Sequence, residues 1–120
     1  MADILRVYIA GPYSHGDQAD NVRTAGLAAL AVMKAGHAPF CPHLFHFLHF
    51  LEPHSYVEWC ALDLHWLRAC HVVLRLPGHS PGSDREVDAA KQLGLPVYYT
   101  LAACLEELPK VERVAVSYGV

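Results

Sequence analysis

The stretch H-V-V-L-R-L-P-G-H-S-P-G-S-D-R-E-V-D-A-A-K-Q-L-G, residues 71–94, decides the fold. Its apolar run Val72-Val73-Leu74-Arg75-Leu76 reads as a buried strand, and Pro77-Gly78 breaks it. Ser80 to Glu86 reads as a glycine-bearing loop that enters a helix over 84–93, with Gly94 following. Strand, loop and helix in that order are the core of a parallel βαβ unit. Loops of this kind point backbone N–H groups at anions, and the helix dipole favours negative charge there. Glu86, expected within the first helical turn, should therefore stay ionised, as a nucleophile or an anchor for a sugar hydroxyl must.

Outward from this unit the pattern repeats. Residues 4–10, I-L-R-V-Y-I-A, form a near-continuous apolar run ended by Gly11-Pro12, as in a buried parallel strand. A helix is predicted over 20–35, capped by Asp20 or Asn21 and followed by Gly36. Residues 37–41 read as a short strand, and 43–54 as a histidine-rich loop. Ser55-Tyr56-Val57-Glu58 is a capping box, so a helix should run from about Tyr56 to about Ala69. A strand over 95–100, a short helix over 101–108 and a possible fifth strand over 111–117 complete the chain. Strands alternating with helices imply a single α/β domain over 1–120, a doubly wound and mostly parallel sheet of about five strands. Ligands of such sheets bind beyond the carboxyl ends of the strands, at a topological switch point. Gly11 to Ser14 and Gly78 to Glu86 both fall at those ends.

Composition narrows the function. The 120 residues are 53% hydrophobic and 18% charged, which suits a sheet buried on both faces and subunit interfaces. A formal charge of −3 argues against a nucleic-acid polymer as partner. No run reaches membrane-spanning length, and no secretory leader pattern opens the chain, so the expectation is a cytoplasmic protein. Cys41, Cys60, Cys70 and Cys104 lack C-x-x-C spacing and read as reduced thiols. His43, His46 and His49 are spaced by three, but H-E-x-x-H is absent; no metal and no cofactor are expected. The glycine loops match neither G-x-x-x-x-G-K-[ST] nor G-x-G-x-x-G, which argues against triphosphate hydrolysis and dinucleotide binding.

One carboxylate stands out. At about 100° per residue, Trp59, Leu62, Asp63, Trp66 and Cys70 share a narrow sector, so Asp63 falls in the stripe expected to face the core. Surroundings of tryptophan and leucine favour its protonated form, whereas a helix N-terminus pushes Glu86 the other way. Two carboxyl groups driven apart in pKa are what an acid and nucleophile pair requires. The competing explanations are structural. Asp63 could serve a loop hydrogen bond, Glu86 could merely complement the dipole, Tyr8 could satisfy a backbone group, and Ser80 could be a turn or cap residue.

V-Y-I-A-G-P-Y-S at 7–14, D-L-H-W-L-R-A-C-H-V-V-L at 63–74 and S-P-G-S-D-R-E-V-D-A-A at 80–90 together resemble the nucleoside 2-deoxyribosyltransferase superfamily. That group includes the 2′-deoxynucleoside 5′-monophosphate N-hydrolases, and the similarity is greatest to a small, little-characterised branch. It spans about residues 5 to 101. The resemblance implies a flavodoxin-like, Rossmann-like fold with Glu86 as nucleophile, Asp63 as its partner carboxyl and Tyr8 positioning the nucleophile. It also implies homo-oligomers, dimers or tetramers, whose active sites borrow residues from a neighbour. Ser80 stands where the hydrolases carry a phosphate-contacting serine and the transferases a base-reading aspartate. The chain departs from the hydrolases in the first loop, where Tyr13-Ser14-His15 replaces an arginine-containing segment, and in Ser83-Asp84-Arg85, which lacks the usual glycine.

The reaction so implied is cleavage of the N-glycosidic bond of a (deoxy)nucleoside or its 5′-monophosphate, releasing the free base. Asp63 protonates the base, Glu86 attacks C1′, and water or another base resolves the intermediate. Gly11, Pro12 and Tyr13 would line the sugar and base, with Ser80, Gly82 and Ser83 at the 5′ group. Trp59 or Trp66 would stack on the base or pack in the core. The alternatives are a nucleoside (deoxy)ribosyltransferase using the same residues, a non-catalytic nucleotide-binding module, and a phosphoribohydrolase loosely echoed by Pro77-Gly78 and Gly82-Ser83.

Overall fold

The computed structural model describes residues 3–111. Strand β1 (Arg6–Ala10) is followed by helix α1 (Gln18–Lys34), β2 (Ala38–Phe40), the short helices α2 (Pro42–Phe45) and α3 (Leu48–Leu51), and α4 (Tyr56–Arg68). Then come β3 (Val72–Arg75), α5 (Pro81–Gln92), β4 (Val97–Tyr98) and α6 (Leu101–Glu107). All pairings are parallel, in the order β2-β1-β3-β4. Four strands are present among the described residues; residues 112–117 of the expected fifth strand lie outside them.

The two-residue period of the strands sorts the core into two layers. Val7, Ile9, Val72 and Leu74 face α1 and α6, where Ala25, Ala28, Val32 and Cys104 meet them. Tyr8, Ala10 and Val73 face the other way, against Leu67 of α4 and Ala90 of α5. Small alanines on α1 let that helix lie close to the sheet. Helices on both faces of a parallel sheet make the fold doubly wound α/β. The strand order reverses between β1 and β3, and the loops that follow these two strands share one edge.

Three local expectations change. The histidine-rich segment is not an open loop but contains α2 and α3. Helix α1 starts at Gln18 because Asp17 caps it, accepting from Asp20 N–H at 3.0 Å. Asn21 instead donates to the carbonyls of Tyr13 at 3.0 Å and His15 at 2.7 Å, pinning the loop after β1. Helix α5 starts at Pro81, with Ser80 as its cap, three residues before the predicted start. Proline is preorganised for the first helical position, so the Ser80-Pro81 pair is itself the start signal. Glu86 consequently sits beyond the first turn, where the dipole has largely decayed. No helix among the described residues is long and apolar enough to cross a membrane.

The two site loops touch each other. Gly78 has φ of +117°, and a Cβ there would lie 2.8 Å from Pro12 Cγ. Gly78→Ala is expected to destabilise the protein by at least about 1 kcal/mol in chemical denaturation, through backbone strain and this clash. Gly26→Ala, within α1 and with open space around its Cα, should stabilise by roughly 0.5–1 kcal/mol.

Candidate active site

Because Tyr8 points to the α4–α5 side of the sheet, its hydroxyl reaches the second turn of α5 and donates to Glu86 Oε2. Burial first, and then the neighbouring carboxylates Glu86 and Asp63, push the Tyr8 phenol up, so it remains a proton donor. Glu86 itself behaves opposite to the sequence expectation. Burial raises its carboxyl to about 7; the Tyr8 hydrogen bond lowers it and the Asp63 charge raises it further. Desolvation outweighs the helix end because Glu86 lies deep and past the first turn.

Asp63 is buried at 6% exposure, but the apolar stripe predicted around it is not what surrounds it. The buried positions of α4 are Asp63 and Leu67, and Trp66 is 42% exposed, stacked on Phe40. Asp63 has a polar partner instead. His46 Nε2 lies 3.0 Å from Oδ2 and 3.3 Å from Oδ1. Tyr13 packs edge-on against the His46 ring, with centroids 5.2 Å apart, and Trp59 leans on it at 5.3 Å.

Both carboxyl groups open onto one cavity of about 920 Å³ at the switch point. Gly11, Tyr13, Ser80, Gly82 and Ser83 also line it, together with His43, His46 and Trp59. Pro12 and Tyr8 do not: Pro12 lies against Gly78, and Tyr8 supports Glu86 from the sheet. The volume suits a ligand of nucleotide size.

The hydroxyl pair at the start of α5 divides its labour. Ser80 accepts from Ser83 N–H at 3.1 Å and donates to Ser83 Oγ at 2.8 Å. Its only proton is thus spent on the cap, and the Ser83 hydroxyl keeps a proton for another acceptor. Arg75, at the end of β3 and 9% exposed, supports this loop from below. Its guanidinium donates to the carbonyls of Leu76 and, at 3.0 Å, Gly78, and pairs with Asp84 Oδ1 at 3.0 Å. A buried cation needs such a full set of acceptors. At the mouth, Arg85 donates to the Tyr56 hydroxyl and lies over its ring at 5.4 Å, joining α5 to α4.

The three regularly spaced histidines separate. His43 Nε2 faces the carbonyls of Gly11 at 3.1 Å and Pro12 at 2.9 Å, so it carries the hydrogen. Burial lowers His43, which keeps it neutral and fixes the floor of the first loop. His49 Nδ1 accepts from Trp59 Nε1 at 2.9 Å, and His46 addresses Asp63. Sequence reasoning missed Arg75, His46, His43, Tyr56 and Arg85. Arg75 did carry a signal, a charge inside an otherwise apolar strand; the others depend on contacts between distant segments.

Among solved structures, the chain is similar to a 2-deoxyribosyltransferase from the psychrotolerant bacterium Bacillus psychrosaccharolyticus. The identity is 22%, the match covers 77% of this chain and 69% of that one, and the TM-score is 0.55. This likeness establishes the shared fold. No curated protein matches the chain. The model of a domain of unknown function (DUF7768) matches residues 5–100, and the chain belongs to that family.

Proposed function

We propose that the protein cleaves the N-glycosidic bond of a (deoxy)nucleoside or its 5′-monophosphate and releases the free base. The observation that carries this is the convergence of Glu86 and Asp63, from α5 and α4, on one nucleotide-sized cavity, with Tyr8 of β1 holding Glu86 from the sheet. Two carboxyl groups facing a shared cavity, one held by a phenol, are the minimum machinery of glycosidic cleavage through a covalent intermediate.

In this mechanism Glu86, as the carboxylate, attacks C1′ while Asp63 protonates the base as the C1′–N bond breaks. The Tyr8 hydroxyl holds Oε2, which leaves the other carboxylate oxygen to attack. Burial makes Glu86 more basic than an exposed glutamate, and an ionised but basic carboxylate is the better nucleophile. Ser83 O–H and the Gly82 N–H at the start of α5 face the 5′ group. Tyr13 and Trp59 offer flat surfaces to the base. Water then attacks C1′ and frees Glu86.

A transferase differs only in what resolves the intermediate, and the fold likeness to a 2-deoxyribosyltransferase favours it as the second reading. Base exchange that depends on an added acceptor base distinguishes the two. The protein would act in the cytoplasm on a small-molecule nucleoside or nucleotide. It would assemble as a homo-oligomer, because Phe47, Phe50, Leu51 and Val57 are exposed and Phe50 and Val57 line the cavity.

Chromatography of (deoxy)nucleosides and their monophosphates incubated with the protein should show free base. Glu86→Ala should lower its release by at least about a thousandfold without loss of fold; unchanged release in that variant would reject the assignment. Because the nucleophile must be ionised, activity should rise with pH through about 7, the value to which burial raises Glu86.

Stability should move in the opposite direction. Glu86 binds its proton more tightly when folded than when unfolded, so stability falls as pH rises from about 4.5 to about 7. Glu86→Gln should remove this fall and stabilise the protein at pH 8 by roughly 3 kcal/mol. Thermal melts at pH 5 and pH 8 check it, and equal pH dependence in both proteins would exclude a buried, raised Glu86.

A further inference from the structure

We infer that the proton given to the departing base is held by a His46–Asp63 pair rather than by Asp63 alone, with His46 as the positioning residue. This deepens the N-glycosidase proposal and rests on it.

His46 is the residue that closes α2, 17 positions before Asp63, and its spacing of three from His43 and His49 does not point to a carboxylate partner. Its Nε2 meets both oxygens of Asp63, at 3.0 and 3.3 Å, so the ring edge addresses the carboxyl head-on. A carboxylate offers only acceptors there, so Nε2 carries a hydrogen toward it. Tyr13 and Trp59 hold the ring from its sides, and all four residues line the cavity onto which Glu86 opens. A buried carboxyl is costly to leave without a partner, and the imidazole at 3.0 Å supplies one that can also hold a proton.

Other titratable groups surround the pair. Glu86 of α5, Tyr8 of β1, Tyr13 of the loop after β1 and His43 of α2 face it, and Arg75 of β3 acts on Glu86. Among these, His46 is the one whose ring nitrogen touches Asp63.

The step balances as follows. An oxygen of Glu86 forms a bond to C1′ while the C1′–N bond breaks, and its electron pair goes to the base. The pair holds one proton beyond a neutral imidazole and a carboxylate; Asp63 passes it to the base, and His46 is left as the neutral imidazole with one ring hydrogen. In the second half, a water oxygen bonds to C1′, the Glu86 ester bond breaks, and its electron pair returns to the carboxylate. The proton lost by water refills the pair.

The test compares a purine substrate that the wild-type protein cleaves with its N7-methyl counterpart, whose base departs without protonation. His46→Gln and His46→Asn are both made, with circular dichroism reporting folding, so that one folded variant suffices. The expected result is a loss of about 100-fold in kcat on the unmodified purine, with KM little changed, against less than about tenfold on the methylated one. Equal losses on both substrates, or none on either, overturn the inference while leaving the N-glycosidase proposal in place. Absence of base release by the wild-type protein overturns both.

Discussion

Everything at the site depends on the register between β1 and β3. Tyr8 pairs with Val73 and Ala10 with Arg75, so Tyr8 and Arg75 project to the same face, under α4 and α5. A slip of one residue would send one strand's side chains to the opposite layer. Slipped in β1, Tyr8 would meet the alanines of α1 instead of Glu86; slipped in β3, Arg75 would lose Asp84. The register is well specified because both faces are buried, with Val7 and Ile9 committed to one layer and Tyr8 and Ala10 to the other.

From that register follows an electrostatic division between the floor and the mouth of the cavity. The floor is buried, and its ionisable groups have fixed partners: Tyr8 with Glu86, His46 with Asp63, Arg75 with Asp84 and two carbonyls. No buried side-chain nitrogen or oxygen among the described residues lacks a hydrogen-bond partner. In such surroundings a charge is tolerated only where its partner is fixed, and every small displacement changes a proton affinity. Desolvation thereby raises Glu86, overcoming the Tyr8 donor that lowers it. The mouth is different, with Arg85 and Tyr56 meeting where α4 and α5 begin.

The glycines and prolines at the strand ends complete the arrangement. Gly78 admits Pro12 where any side chain would collide, so the loops after β1 and β3 close on each other. His43, kept neutral by burial, ties the carbonyls of Gly11 and Pro12 to α2. The first loop is thus held from two sides before any ligand enters, the second side being Asn21 on Tyr13 and His15. Preorganisation of this kind lowers the ordering cost of binding.

Much of this was legible from the residues alone. The apolar runs at 4–10 and 71–76, the capping box at Ser55 to Glu58 and the Gly78 to Glu86 loop are local signals, and they determined the alternating α/β order and the two strand-end loops. Local signals also marked Asp63 as an acid on a helix with apolar neighbours. They could not say what faced it. Helical periodicity placed it among tryptophans, while the fold set it beside His46, because α2 packs there only through tertiary contacts. In the same way the helix N-terminus suggested an acidic Glu86, and burial decided a raised one. Periodicity and turn chemistry act over a few residues and are written in the chain. Desolvation and ionic pairing act between segments far apart in it, and only the folded structure brings those together.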